Sequence, residues 1–233
     1  WKSSNLKGER AISYNLSADY YAKKYQFSIN IFRTNLKDKI QFSPADDEVK
    51  KFGYSYQWEN VDDAYVQGVE LGAKANLFRN FNAGINWTFN QGKFKHERAD
   101  WSDPNDETVK EFPQRLQYAK DSRNISRFPA MTGDIDLDYT PGTWSFSLTS
   151  SLQGKMYIDY NSEDNGATSK IKKTNTFMIF NCRAAKRFGT CTVYAGAKNI
   201  FSYIQDEKHT DDAAFMYAPV YGATWYVGLS VKL

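Results

Sequence analysis

The sequence predicts an all-β chain that forms an antiparallel transmembrane β-barrel, and three observations lead to this fold class. Apolar and polar residues alternate with a period of two in nine segments, as in strands with two unlike faces. Tight turns and long polar connections follow one another in strict alternation along the chain. The polar faces consist mostly of Asn, Ser, Gly and Thr, which suit a crowded, hydrated lumen better than open solvent.

The connections between segments define two different ends of the strand array. The tight turns are Lys23-Lys24, Arg79-Asn80, Pro141-Gly142 and the stretch around Phe188-Gly189. The long connections cover about 43–55, 96–126, 161–173 and 204–216. All tight turns should therefore lie at one end of the array, and in outer-membrane barrels that end is periplasmic.

The first four segments carry a clear alternation. We expect these strands at about 9–22, 25–42, 56–78 and 81–90. In the fourth, Phe81, Ile85 and Phe89 lie on one face. Asn residues at alternate positions lie on the other, so one face is apolar and the other polar.

The remaining five segments complete the array. We expect them at about 129–140, 143–160, 174–187, 190–202 and 217–233. The seventh and eighth have a blurred phase, because small residues occupy both faces. The ninth alternates cleanly again, with Trp225, Val227 and Leu229 on its apolar face. No segment has a 3.6-residue period, so helices are not expected.

A soluble β-sandwich is the main alternative fold. Its strands usually run about 5–6 residues, whereas several segments here run well past ten. Aromatic residues also bracket three of the tight turns, as a girdle at the lipid–water boundary would. The bracketing pairs are Tyr20 and Tyr25, Phe78 and Phe81, and Tyr139 and Trp144.

Composition excludes other classes of protein. No apolar run approaches the roughly 20 residues that a transmembrane helix needs. The formal net charge of +3 is too small and too evenly spread to indicate a nucleic-acid partner. The chain starts at Trp1 without a signal-peptide pattern, so we expect either a processed mature chain or an internal fragment.

The two cysteines flank the turn near Lys186-Arg187 and leave two arrangements open. A two-residue turn there would place Cys182 directly opposite Cys191, close enough for a cross-strand disulfide in an oxidising compartment. A turn one or two residues later would separate them and leave two packed thiols.

The strand count adds a constraint. If tight turns are periplasmic, the chain begins on the extracellular side, and nine strands is an odd number. Bacterial single-chain barrels have even counts, and an open sheet would leave unpaired edges in lipid. Either one strand is miscounted, or residues 1–233 form part of a larger barrel.

An ordered set of motifs resembles the end of the barrel of TonB-dependent outer-membrane receptors. These motifs are Gly68-Val69-Glu70, Asn199-Ile200-Phe201 and the run from Tyr226 to Leu233. The resemblance spans about residues 9–233 and implies the last nine or so strands of a barrel of about 22 strands. The family's N-terminal plug domain and earlier strands are absent from this chain.

The resemblance implies a function in the bacterial outer membrane. Such a receptor binds and imports a scarce nutrient (an iron chelate, haem, cobalamin or a glycan) with energy supplied by TonB. It implies binding and gating rather than enzymatic catalysis, and no cofactor. The expected partners are the rest of the receptor, the TonB complex acting through the plug, the lipid bilayer and a surface lipoprotein.

Candidate ligand contacts are aromatic and cationic residues of the long connections, which could stack on or pair with a ligand. They are Tyr54, Tyr56, Trp58, Trp101, Arg115, Tyr118, Arg123, Tyr157, Tyr203 and Tyr217. For any one of them, loop packing or membership of the aromatic girdle is the competing role. His96 and His209 also fall in long connections. The acidic stretches 100–107 and 162–166 lie there too, but neither matches the sequence pattern of a calcium-binding loop. No metal site is therefore predicted.

Two other functions remain as alternatives. An outer-membrane hydrolase would need a Ser, His and acid constellation. His209 has acidic neighbours at Asp211 and Asp212, but no nucleophile motif accompanies it. A small stand-alone barrel acting as an adhesin or anchor is the second alternative.

Overall fold

The computed structural model of the chain describes residues 5–44, 47–96, 123–160, 170–205, 217–219 and 221–232. These residues belong to two compact units. The first draws on residues 1–15, 32–67 and 91–125, and the second on residues 16–31, 68–90 and 126–233. The strands β1 to β4 contribute to both units, and the later strands belong to the second.

The described chain is almost entirely β-structure, as predicted. The strands are β1 (Arg10–Tyr21), β2 (Tyr25–Pro44), β3 (Tyr56–Phe78), β4 (Phe81–Phe94), β5 (Met131–Tyr139), β6 (Trp144–Gln153), β7 (Tyr157–Tyr160), β8 (Lys170–Lys173), β9 (Phe177–Phe188), β10 (Cys191–Lys198) and β11 (Thr224–Val231). One short helix, α1 (Asp47–Lys50), lies between β2 and β3 and buries Val49. Within the described part of the chain, no helix has both the length and the apolar character to cross a membrane.

Nine strands form one antiparallel sheet in chain order, β1-β2-β3-β4-β5-β6-β9-β10-β11. A second sheet contains only β7 and β8. Each strand of the nine-stranded sheet pairs with the next one, so the sheet is a meander. Antiparallel neighbours joined by short turns are the local solution that period-2 alternation and turn residues favour.

The tight turns lie at one end of the sheet, as predicted. Residues with positive φ make three of them possible: Asn80 (66°), Gly142 (63°) and Gly189 (59°). Backbone hydrogen bonds continue the pairing of neighbouring strands at this end of the sheet. The Thr140 N–H donates to the Asn80 carbonyl (2.9 Å), and the Lys232 N–H donates to the Thr190 carbonyl (2.9 Å).

The two faces of the sheet differ as the alternation predicts. Phe81 of β4 faces Tyr139 of β5, which in turn faces Phe146 of β6, so large apolar side chains line up across strands. Many of these side chains are exposed, among them Leu16, Phe27, Leu71, Phe89, Phe146 and Val227. The opposite face carries polar pairs such as Asn82 with Asp138 and Asn86 with Asp134. A sheet that exposes its apolar face and keeps polar residues opposite suits lipid on the first side.

Aromatic rings gather near the tight turns on the apolar face. The Phe78 and Phe81 rings stack at 4.7 Å, and the Phe81 and Tyr139 centroids are 6.2 Å apart. The stack continues through Tyr139 and Phe146 (6.4 Å) to Trp144 (5.7 Å from Phe146). These rings form the girdle that the bracketing pairs predict.

The sixth predicted strand (about 143–160) is interrupted between β6 and β7, and β8 lies in the predicted connection 161–173, which corrects the predicted bounds. Gln153 faces Phe177 at the end of β6, and Tyr157 faces Lys173 in the β7–β8 ribbon, so the register is unchanged across the break. The break begins at Gly154, whose N–H donates to the Met131 carbonyl at 2.7 Å. A Cβ at position 154 would lie 2.8 Å from that carbonyl oxygen, so only glycine fits this approach to Met131 without a shift.

The last two strands are shorter than predicted. β10 ends at Lys198 because Asn199 takes a φ of 51°, which turns the chain. The pairing of β10 with β11 is marked by two glycines. Tyr226 faces Gly196, and its ring covers that glycine, while Tyr194 faces and covers Gly228. Each glycine leaves the space that the opposite tyrosine ring occupies.

Cys182 and Cys191 are free thiols, which decides between the two arrangements left open by the sequence. The turn falls at Gly189-Thr190, later than the symmetric position, so Cys191 faces Phe188 and Cys182 faces Ala197. Six residues of β10 separate position 191 from position 197, a separation of about 20 Å along the strand. A disulfide needs Cα atoms within about 7 Å, so none forms.

Candidate functional site

The candidate site lies in the second unit, where the chain leaves β10 and returns to β11. Asn199 is buried and ties the two segments together. Its side-chain Nδ2 donates to the Tyr203 carbonyl (2.7 Å) and the Tyr221 carbonyl (3.2 Å), while its Oδ1 accepts from the Tyr203 N–H (2.9 Å). The Asn199 N–H donates to Asn181 Oδ1 at 3.0 Å, which fixes the turn to β9. Asn suits this position because its side chain tolerates positive φ and bonds nearby backbone.

Two glutamines place the returning segment 217–219. Gln205 is 1% exposed, and its Oε1 accepts from the N–H groups of Tyr217 (2.9 Å) and Ala218 (3.2 Å). The Gln205 N–H donates to the Pro219 carbonyl at 2.9 Å. Gln153, at the end of β6, donates from Nε2 to the Tyr217 carbonyl at 3.2 Å. Both glutamines thus hold Tyr217 by its backbone.

Three aromatic rings meet at this point. Phe177 stacks on Tyr203 with centroids 5.0 Å apart and planes 9° from parallel. Tyr217 lies 6.2 Å from Phe177 in a tilted orientation. Partial burial raises the pKa of the Tyr203 phenol, and a side-chain hydrogen bond with Tyr217 opposes that rise. The Tyr203 phenol is therefore neutral at physiological pH.

A pocket of about 500 Å³ opens beside these rings. Its lining includes Thr132, Ser151, Gln153, Phe177, Ile179, Tyr217 and Pro219. The side chains of Thr132, Ser151 and Gln153 belong to the polar face of the sheet, because they alternate with the apolar residues in the register. Ser151 Oγ donates to Asp134 Oδ1 at 2.9 Å, which brings a carboxylate close to the pocket wall.

This arrangement combines ring faces with polar groups. Tyr217 offers aromatic surface and is supported by the buried Phe177 ring, and Gln153 and Ser151 offer an amide and a hydroxyl. Pockets that bind small molecules typically join apolar walls to a few oriented polar groups. The site can therefore hold a planar or ring-containing ligand that also carries hydrogen-bonding groups.

The structure brings together two of the predicted contact residues, Tyr203 and Tyr217. Tyr157 lies in β7 with the Lys173 ammonium 5.2 Å above its ring, and its carbonyl accepts from the Arg127 N–H. In the first unit, Arg123 donates from Nε to the Phe94 carbonyl at 3.1 Å, so it anchors the return of a long connection.

The remaining predicted contacts are spread more widely. Tyr54, Tyr56 and Trp58 lie at and before the start of β3 in the first unit and are exposed. Trp101, Arg115, Tyr118 and His209 fall outside the described residues, as do both acidic stretches. For all of these residues, a ligand contact stays a prediction.

His96 is held by a carboxylate rather than by a ligand set. Its backbone N–H donates to Asp62 Oδ2 at 2.7 Å, and its ring Nδ1 lies 2.9 Å from Asp62 Oδ1. Burial raises the pKa of Asp62. Hydrogen bonds from His96 and from the Asp63 N–H together lower that pKa by more than burial raises it, so it lies below its usual range. In the described ranges, no group of three or more His, Cys, Asp or Glu side chains could hold a metal ion.

Several residues of the pocket were not predicted from the sequence. Phe177 is apolar on a polar face, and the only sign of this in the sequence is the blurred phase of the seventh predicted strand. Gln153 and Gln205 have no pattern that separates them from other polar residues. Asn199 belongs to a motif that the resemblance singled out, and the structure gives that motif a physical role at the base of the loop.

Comparison with known proteins places this fold in a family. The sequence profile of the family described as TonB dependent receptor-like, beta-barrel matches residues 2–200. Similar solved structures include the copper transporter OprC, with a TM-score of 0.64 and 20% identity over 97% of this chain. The ferric enterobactin receptor PfeA of Pseudomonas aeruginosa, in complex with enterobactin, has a TM-score of 0.64 and 19% identity over 97% of this chain. The ferric-catecholate import receptor Fiu of E. coli K12 has a TM-score of 0.65 and 13% identity over 97%.

The match covers only part of each solved structure. This chain spans 32% of OprC, 32% of PfeA and 28% of Fiu. At these identities the comparison shows a shared fold, and the profile match over most of the chain shows the family. The chain belongs to the TonB-dependent receptor β-barrel family.

Proposed function

We propose that this chain is the C-terminal part of the barrel of an outer-membrane receptor that binds a scarce nutrient and imports it with energy from TonB. One observation supports this most strongly. The nine-stranded sheet exposes an apolar face, keeps a polar face opposite and gathers its tight turns at one end. A receptor barrel needs all three features, because lipid, lumen and the two membrane sides must each meet a different surface.

The proposal includes partners beyond the described residues. An N-terminal plug domain and earlier strands of the same receptor would complete the barrel and fill its lumen. TonB would act through that plug, and a surface lipoprotein could cover the long connections. The receptor has no enzymatic activity in this proposal, since binding and gating account for transport.

Within this function, the pocket beside Phe177 and Tyr217 contacts the nutrient on its way through the barrel. It lies on the polar face of the sheet, at the end opposite the tight turns. Its stacked rings favour a ligand with a planar or ring-shaped part. Iron chelates, haem, cobalamin and glycans all have such parts, so the pocket supports the class and not one member.

The uptake experiment uses the full-length receptor in a Gram-negative host that lacks its own receptors for the probes. Accumulation of ferric enterobactin, copper(II), haem, cobalamin and a maltodextrin is measured with and without a functional tonB gene. We expect accumulation of at least one probe that disappears in the tonB deletion. Accumulation that persists without TonB, or correct membrane insertion with no uptake of any probe, would contradict the proposal.

The pocket is tested with a matched pair of aromatic substitutions. Phe177→Ala removes the buried ring that positions Tyr203 and Tyr217, and we expect about a tenfold loss of affinity for the transported probe, since an aromatic pair contributes about 1–1.5 kcal/mol. Phe89→Ala removes an exposed ring from the opposite, apolar face and should leave the affinity unchanged. Equal affinities for Phe177→Ala and the unmodified receptor would exclude the pocket as a ligand contact.

A further inference from the structure

An apolar groove of about 520 Å³ crosses β5, β6, β9, β10 and β11 on the apolar face of the second unit. Its lining includes Tyr139, Phe146, Leu148, Ala184, Ala195 and Trp225. The cross-strand register explains its shape. Tyr139 faces Phe146, which faces Ala184, which faces Ala195, so two rings are followed by two methyl groups. The Tyr139 and Phe146 rings form one side of the groove, and Ala184 of β9 and Ala195 of β10 form its base.

A cation lies beside the groove, on the side nearer the tight turns. Lys186 is two residues along β9 from Ala184 and on the same face. Its ammonium nitrogen is 4.7 Å from the centroid of the Trp144 ring and 5.1 Å from that of Phe188. Among the ion pairs of the described residues, none involves Lys186. The rings therefore hold a positive charge beside an apolar channel, and no described carboxylate neutralises it.

Aromatic rings lie farther along β9, beyond the end of the groove that is away from the tight turns. Phe180 of β9 meets Phe201 edge-on with centroids 5.2 Å apart. Six residues of β9 separate Phe180 from Lys186, which corresponds to about 20 Å along the strand. Half of the hydrocarbon core of a bilayer is about 15 Å thick, so this stretch of β9, which includes the groove, is long enough to cross a single leaflet.

We propose that this groove binds one phospholipid of the periplasmic leaflet, with an acyl chain along β9 and β10 and its phosphate paired with Lys186. The proposal rests on the proposed function, because it requires the apolar face to lie in the outer membrane. The charge at one end and the apolar channel below it complement an anionic headgroup and its hydrocarbon chain. The tight-turn end of such a barrel is periplasmic, where the leaflet consists of phospholipid.

A second apolar groove on the same face provides an internal comparison. It has a volume of about 720 Å³ and is lined by residues of β1 to β4, including Ala18, Phe27, Leu71 and Ala73. Its described lining contains no lysine or arginine. It should therefore accept acyl chains without preference for a headgroup.

The test is native mass spectrometry of the full-length receptor, delipidated in mild detergent and titrated with phosphatidylglycerol or phosphatidylcholine. We expect one phosphatidylglycerol to be retained in preference to phosphatidylcholine. Lys186→Gln should weaken the phosphatidylglycerol complex about fivefold, the effect of one basic residue near an anionic lipid surface. Ala184→Leu should fill the groove and release both lipids, whereas the control Ala73→Leu should retain the preference.

The outcomes separate this proposal from the proposed function. Uptake of the transported probe and membrane insertion are measured for the same variants. A receptor that inserts and transports normally but retains both lipids equally, or is unaffected by Lys186→Gln, overturns the lipid site alone. An unmodified receptor that fails to insert or transport overturns the proposed function as well. If the Ala184→Leu receptor does not assemble, the lipid preference of the Lys186→Gln receptor still decides the test.

Discussion

Replacing Asn199 should open the base of the loop that carries the candidate pocket. Asn199→Ala removes three side-chain hydrogen bonds, two to the carbonyls of Tyr203 and Tyr221 and one from the Tyr203 N–H. At about 1 kcal/mol each, their loss costs about 3 kcal/mol. Alanine at a φ of 51° adds about 1 kcal/mol of backbone strain. The local free energy of opening should therefore fall by about 4 kcal/mol.

Asn199→Gly separates the two contributions, because glycine adopts positive φ without strain. We expect it to lose only the hydrogen bonds, about 3 kcal/mol, which corresponds to about a hundredfold change in an equilibrium constant. The assay is amide hydrogen exchange of Gln205, Tyr217 and Ala218, whose N–H groups are bonded inside the loop. Amides of β5 at the centre of the sheet serve as the internal control.

Two results would refute this reasoning. If the Tyr217 and Ala218 amides exchange equally fast in the unmodified protein and in Asn199→Ala, the side chain does not hold the loop. If β5 amides accelerate as much as the loop amides, the substitution unfolds the sheet and the opening is not local.

Two further predictions concern the sheet and the connection after β4. Gly196→Ala should lower the melting temperature strongly, because the new Cβ would lie 2.5 Å from the Cys182 carbonyl oxygen. The control Gly84→Ala should be tolerated, because the nearest atom to its Cβ would be 3.8 Å away. Equal shifts of the melting temperature in the two variants would contradict this prediction. The lowered pKa of Asp62 means that its contact with His96 stabilises the fold above the ordinary carboxyl range and is lost only as the pH falls through that lowered pKa. Protection of the His96 amide from exchange at pH 7 should thus be reduced by Asp62→Asn, and unchanged protection in this variant would rule the contact out.

The strands and turns could be predicted because their signals are local. Alternation and the residues of the turns at Asn80 and Gly142 suffice to define a meander with two unlike ends. The break at Gly154 could not be seen in the same way, since the alternation continues across it. At the break, the Met156 N–H donates to Thr174 Oγ1 at 3.1 Å, a contact between distant residues that the sequence does not reveal.

The candidate site depends on contacts between distant segments, so little of it could be predicted. Tyr203 and Tyr217 were proposed from their residue type and position in a long connection. Their meeting point, Phe177, lies in a strand more than twenty residues away in sequence. The position of the last hairpin had the same difficulty. The two cysteines would face each other only if the turn were centred at Lys186-Arg187. The turn position depends on which residue near Gly189 takes positive φ, and the sequence alone left that choice open.

The paired tyrosines and glycines of β10 and β11 have a consequence for how the last strand finds its place. If β11 slid by two residues, Tyr226 would face either Tyr194 or Lys198 instead of Gly196, and both glycines would lose the rings that cover them. A slide by one residue would turn the polar face toward the apolar side. The pair of strands β10 and β11 therefore encodes its own alignment, and an exchange of β11 between related receptors should succeed only where an aromatic residue and a glycine keep the spacing of Tyr226 and Gly228.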